Sequence, residues 1–330
     1  MIYDKDFKST EELAERLISQ GIQGLDNSEK LKEEIISKLK YVNYYRLKLY
    51  WHPYRKHLGG DDYEFYNGVT FEYIWNLYRF DRRLRLLVLD GIERIEVAIR
   101  TLITHLHSRD YGKWGYLNLN QNTFPFMGET INILGKRRTI PDYVTFLSKI
   151  LHKVNQSEKS EDFIQHHLSK YMPDQYLPMW IVAEVMDYGM MYQAFKGLDN
   201  KLKTEIANIF STKHSRIDWG ILYTWLDSMR YVRNICAHHS RLWNRILTNR
   251  PTIPKRKHKK VDIWASCRLP NNDRVYTILC IINYLLGTII PKSGWKKRLF
   301  SLIDDFDMVP LRNMGFPSNW KETTIWKEYL

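Results

Sequence analysis

Apolar residues recur at intervals of three and four along most of this chain, and that spacing predicts helices almost throughout. Ser9 followed by Glu12 has the form of a capping box and opens a helix expected to run to about Gln20. Asp26 and Glu29 open a second, expected to reach about Tyr45. Leu77, Leu84, Val88, Ile92, Ile95 and Ile99 set one apolar stripe along 71–108, the longest charged amphipathic stretch. Residues 111–141, punctuated by Gly112, Gly115, Pro125, Gly128, Gly135 and Pro141, read as an irregular excursion. Helical spacing resumes at 142–170, and "MWIVAEVMDYGMMYQAF" follows Pro178 as a mostly buried helix. Asp218 is the expected N-cap of a further helix that should reach about Thr248, because Arg250-Pro251 stops it. With no strand alternation over several segments, the expected fold is all-α. It is read as one multi-helix unit: a helical part over about 1–110, the insertion over about 111–141, and a second helical part over about 142–330.

Composition narrows the function classes. The 330 residues are 44% hydrophobic and 14% aromatic, enough to bury a sizeable core. Fifty Lys and Arg against 37 Asp and Glu give a net charge of +13, which favours nucleic acid or an anionic surface over an acidic metabolite. Cys236, Cys267 and Cys280 include no C-x-x-C, so neither a disulfide framework nor a zinc site is indicated. The N-terminus lacks an apolar signal core, and the longest apolar run, "ILCIINYLLGTII" at 278–290, is too short to span a bilayer. A cytoplasmic protein without a membrane role is the expectation. Phosphate-binding, nucleophile-elbow, zincin and dinucleotide motifs are all missing from the sequence, and no cofactor or metal is expected.

The chemistry concentrates in "DSMRYVRNICAHHSRLWNR". Arg233 can hold a phosphate through paired hydrogen bonds. His238 can move a proton near neutral pH, and Asn234 can orient the imidazole or contact a ribose. If the helix continues, Asn234, His238, Arg241 and Arg245 fall within roughly a 60° arc, a face suited to a polyanion. Arg233 points about 140° away from His238 on a straight helix. It lies toward the apolar side, where Glu93 or Glu96 could hold it. His239 turns toward the same side and reads as a packing residue. The tract "RPTIPKRKHKK" follows directly, with Arg, Lys or His at seven of its eleven positions. Lys255, Arg256, Lys257, Lys259 and Lys260 are read as a phosphate-binding arm. A second R-x4-H, Arg100 to His105, lacks the amide after the arginine; Arg100 also follows Glu96 by four residues, the spacing of a helix ion pair, and reads as structural.

The R-x4-H pattern with "CAHHSRLWNR" resembles the signature of the HEPN ribonuclease superfamily, and its flanks resemble the AbiD/AbiF-like abortive-infection proteins of bacteria. Four further blocks carry the likeness: "YVNYYRLKLYWHPYR" at 41–55, "LYRFDRRLRLLVLDGIERIEVAIRT" at 77–101, "LPMWIVAEVMDYG" at 177–189 and "MGFPSNWKETTIW" at 314–326. It spans about residue 20 to the C-terminus. The resemblance implies a HEPN-like helical bundle acting as a metal-independent endoribonuclease, with Arg233, Asn234 and His238 as catalytic residues. It also implies a homodimer in which two motif helices form one cleft, a toxic activity restrained until infection, and RNA as substrate. A structured noncoding RNA or a small acidic protein would suit the charge as the restraint. The rival is an RNA-binding protein that sequesters RNA without cutting it; a membrane-surface effector is a third reading.

Overall fold

The first helix, α1 (Thr10–Ser19), starts where the sequence places it. The Ser9 side chain accepts from the Glu12 N–H at 3.2 Å, and the Glu12 carboxylate accepts from the Ser9 N–H at 2.6 Å. The computed structural model describes residues 6–24, 28–59, 62–118, 123–127, 142–171, 176–255, 261–268 and 272–327. Two compact units divide the chain: residues 1–86 with 297–310, and residues 87–296 with 311–330.

The first unit contains α1, α2 (Ser28–Leu39) and α3 (Tyr44–Trp51). The continuous helix expected up to Tyr45 is thus two helices, because Asn43 accepts from the Tyr45 N–H at 2.8 Å and so caps a new start; Asp26 lies outside the described residues. A two-stranded antiparallel hairpin follows, β1 (Arg55–Gly59) and β2 (Asp62–Phe65), which the sequence pattern did not reveal. Arg55 lies over the rings of Tyr63 (4.5 Å) and Phe65 (5.6 Å) and stiffens the short pair. The unit is completed by the first part of α4 (Phe71–Tyr111) and by residues 297–310, which include most of α12 (Trp295–Asp304); Phe80 and Phe306 meet edge to face. Among the described residues the regular structure is otherwise helical, as expected.

The second unit is built round α11 (Val275–Ile289). Every residue from Val275 to Leu286 is buried, so this helix is apolar all round because it has no solvent face. Gly91 of α4 permits close approach here: a Cβ at that position would lie 2.6 Å from Ile282 Cγ2 and 2.9 Å from Trp295 Nε1. The indole N–H of Trp295 donates to the Leu87 carbonyl at 2.8 Å. Next come α5 (Asp142–Ser157) and α6 (Asp162–Lys170). The buried helix expected after Pro178 is interrupted: α7 (Met179–Val182) ends in a 3₁₀ turn, and Asp187 caps α8 (Tyr188–Gly197) by accepting from the Met190 N–H at 2.9 Å. α9 (Asn200–Ile209) has Asp199 as its cap, and α10 (Trp219–Ala237) has Asp218 as expected, its Oδ1 accepting from the Ile221 N–H at 2.9 Å. Much of the irregular excursion, 119–122 and 128–141, lies outside the described residues.

α10 packs against α8, α9 and α11. Trp225, Trp264 and Tyr284 form a ring cluster with centroids 5.1–5.9 Å apart, and the Tyr188 hydroxyl donates to the Leu226 carbonyl at 3.0 Å. These contacts fix the depth and rotation of α10, and so decide which of its side chains reach solvent.

Candidate nucleic-acid interface at the end of α10

The motif helix stops eleven residues short of the expected Thr248. α10 ends at Ala237 with His238 as C-cap. The Ser240 N–H donates to the Ile235 carbonyl (2.9 Å), and the His239 N–H to the Cys236 carbonyl (3.0 Å). This is the Schellman closure, which needs a left-handed residue just past the cap. His239 occupies that position with φ 57°. Glycine is the usual occupant; histidine is one of the few other residues enriched there, and nothing in "CAHHS" marks the stop as glycine or proline would.

The closure rearranges the expected stripe. Asn234 and His238 remain exposed at the helix end, one turn apart, with the His238 N–H bonded to the Asn234 carbonyl at 3.0 Å. Arg241 and Arg245 do not continue their face, because they lie in irregular chain beyond the helix. Both are half-buried, and Arg245 Nε donates to the Arg241 carbonyl at 2.8 Å. His239, expected to pack inward, is exposed because its left-handed backbone turns the chain away from the helix axis. Trp243 is fully buried in the core.

Arg233 is half-buried and, among the described residues, makes no hydrogen bond or ion pair. Its charge acts on Glu96 of α4, as does that of Arg100. Burial nevertheless outweighs both cations and holds the Glu96 carboxyl above the ordinary carboxylate range, with Asp187 and Glu93 adding to the rise. Glu93 itself is exposed. The carboxylate facing Arg233 is therefore Glu96, through charge at a distance rather than a direct bridge. Arg100 donates to the carbonyls of Ala183 (3.2 Å) and Met186 (2.9 Å), fastening the 3₁₀ turn before α8. The second R-x4-H borders a cavity of about 430 Å³ with Trp180 and Glu184.

The basic tract leaves from another place than its sequence position implies. After the closure the chain returns along α10: Asn249 Nδ2 donates to Asp227 at 2.6 Å, the Thr252 N–H to Thr224 Oγ1 at 2.9 Å, and Trp225 Nε1 to the Thr252 carbonyl at 2.8 Å. Lys255, exposed, thus follows an anchor about 20 Å from His238 at 1.5 Å per helical residue. Arg256, Lys257, Lys259 and Lys260 lie outside the described residues. Among the described residues no group of three or more His, Cys, Asp or Glu side chains is disposed to hold a metal ion, and no helix is long and apolar enough to cross a membrane.

Fold and site together define a helical protein that presents an amide and an imidazole at the end of a rigidly packed helix, whose last turns also carry an arginine that is unpaired among the described residues. A sequence model of the Abi-like protein family matches residues 37–244, more than half of the chain and the whole of the motif, and the chain belongs to that family. The match is narrower than the likeness read from the sequence, which also took in 314–326. Membership points to a role in abortive infection. Searches of curated proteins and of solved structures each returned no match.

Proposed function

We propose that this protein is a metal-independent endoribonuclease of HEPN type, a toxic effector in abortive infection held in check by an RNA partner. The observation that carries this reading is the helix closure. It leaves His238 and Asn234 exposed at the last turn, with Arg233 half-buried on the same helix and, among the described residues, without a bond. Such an arrangement serves a reaction in which RNA supplies its own nucleophile. The 2′-oxygen bonds to phosphorus while the bond to the 5′-oxygen breaks. A base takes the 2′-hydroxyl proton, an acid gives one to the leaving oxygen, and a guanidinium balances the charge of the pentavalent phosphate. The products are a 2′,3′-cyclic phosphate and a 5′-hydroxyl. One chain brings one His238; a second copy apposed at this helix end would supply the other proton carrier, so the active form in this reading is a homodimer.

The test is cleavage of single-stranded RNA in excess EDTA by wild-type protein and by His238→Ala. Loss on the order of 10²–10⁴ in rate, with RNA binding and melting temperature retained, is the expected result. Full activity in the variant, or 5′-phosphate products, would overturn the assignment. Binding without any cleavage by the wild type would leave the sequestering protein as the better description.

A further inference from the structure

A cavity of about 640 Å³ opens in the second unit between α5, α8 and α10, within the size range of pockets that enclose small ligands. Its lining is cationic: Lys149 and Lys153 from α5, Lys196 from α8 and Arg230 from α10, against one carboxylate among the described residues, Asp187. That carboxylate is already engaged as the cap of α8. The three lysines line it and make no hydrogen bond or ion pair among the described residues, so no contact within the described fold already consumes their charges. Arg230 is different, because it is held in place. Its Nε and Nη2 both reach Oδ1 of Asp227 (3.2 and 2.7 Å), and its guanidinium lies 5.2 Å from the centre of the Tyr192 ring. Tyr192 and Tyr223 stack with centroids 5.3 Å apart and form an aromatic wall.

Phosphate-seeking cations beside stacked aromatic rings are the two elements that hold a nucleotide: the charges take the phosphate and the rings take the base. Position adds to chemistry. On α10, Tyr223, Arg230 and Asn234 succeed each other at seven and four residues, within about 40° of one face. From Arg230 to His238 is about 12 Å along the axis. The pocket thus lies along the helix face that ends at Asn234 and His238.

We propose that this pocket seats one nucleotide, its phosphate among Lys149, Lys153, Lys196 and Arg230 and its base against Tyr192 and Tyr223. The nucleotide is either free or part of a strand; the strand source rests on the ribonuclease reading above, whereas the pocket chemistry does not. Isothermal titration of the full chain with uridine and adenosine 5′-monophosphates, inorganic phosphate, and a short 2′-O-methyl oligoribonucleotide, which cannot be cut, tests it. The double variant Lys149→Gln/Lys153→Gln changes side chains without partners and should keep the wild-type melting temperature. It should bind at least tenfold more weakly, and Tyr223→Leu should lose affinity for the nucleotides but not for phosphate. His238→Ala should bind like the wild type. Binding of the monophosphates identifies a free-nucleotide site; binding of the oligonucleotide alone identifies a strand subsite. Unchanged affinity in the lysine pair, phosphate bound as tightly as the nucleotides, or no binding of any probe at millimolar concentration would each overturn the proposal. Cleavage by His238→Ala would sink the ribonuclease and leave this result standing.

Discussion

Asp81 and Glu96 are both carboxylates of α4, and they belong to different units with different fates. In the first unit Asp81 is fully buried, accepts from the Tyr50 hydroxyl at 2.5 Å and is ion-paired to Arg85 one turn on, which is itself buried. Burial and the Asp81 charge together push the Tyr50 hydroxyl well above its ordinary pKa, so it stays a donor. In the second unit Glu96 is half-buried, its carboxyl raised, and the arginines that act on it are elsewhere: Arg100 on backbone carbonyls, Arg233 without a bond. A charge set that closes on itself is structural, because every partner is used within the fold. A set that leaves a guanidinium over can receive a ligand's charge, and this is where the motif lies.

The largest stability effect should come from the closed set. Asp81→Ala strands Arg85 in the core and should cost about 3–5 kcal/mol, read from denaturant unfolding. Arg233→Gln, which breaks no bond among the described residues, should cost about 1 kcal/mol or less while removing cleavage. Equal losses in the two variants would erase the distinction between the clusters.

An intermediate effect concerns acid stability. His107 is fully buried against Phe124, ring centroids 4.6 Å apart, and neither ring nitrogen has a partner among the described residues. Burial lowers its pKa from 6.5 to about 4. The unfolded chain therefore takes up this proton first on acidification. The stability contributed is fully present above pH 6.5 and is lost as pH falls from 6.5 toward 4, by up to about 3 kcal/mol. His107→Leu should flatten that limb of the unfolding profile; an unchanged limb would mean that other groups carry it.

The smallest effect is expected at the closure itself. His239→Gly relieves the left-handed backbone and should stabilise by about 1 kcal/mol or less, with cleavage retained if the second imidazole takes no part. A variant that loses activity while gaining stability would place His239 in the chemistry and show that the strain serves it.

The helix starts at Ser9, Asp187, Asp199 and Asp218 have side chains that accept from N–H groups one turn on, yet the sequence pattern marks only Ser9 and Asp218 as caps. Caps are local chemistry and so are legible one segment at a time. Asp187 does not stand out as a cap because the apolar residues around it run on without a break in period. The end of α10 is hidden for a related reason: "CAHHSRLWNR" keeps helical spacing beyond the point where the Schellman hydrogen bonds turn the chain. The short hairpin escaped because five- and four-residue strands show too little alternation to be told from a loop.

By itself the sequence determined the helical class, the family and the basic character, and it nominated Arg233, Asn234 and His238 as candidates, because each rests on residue type and short-range spacing. Only the tertiary structure decided which charges meet. Tyr223 and Arg230 share a face on paper, but their partners in the pocket come from α5 and α8, some 30–80 residues earlier, and the return of 249–252 along α10 moves Lys255 away from the motif it follows in sequence. Such juxtapositions depend on how buried faces pack, and packing is set by volume and shape across the whole unit rather than by any local period.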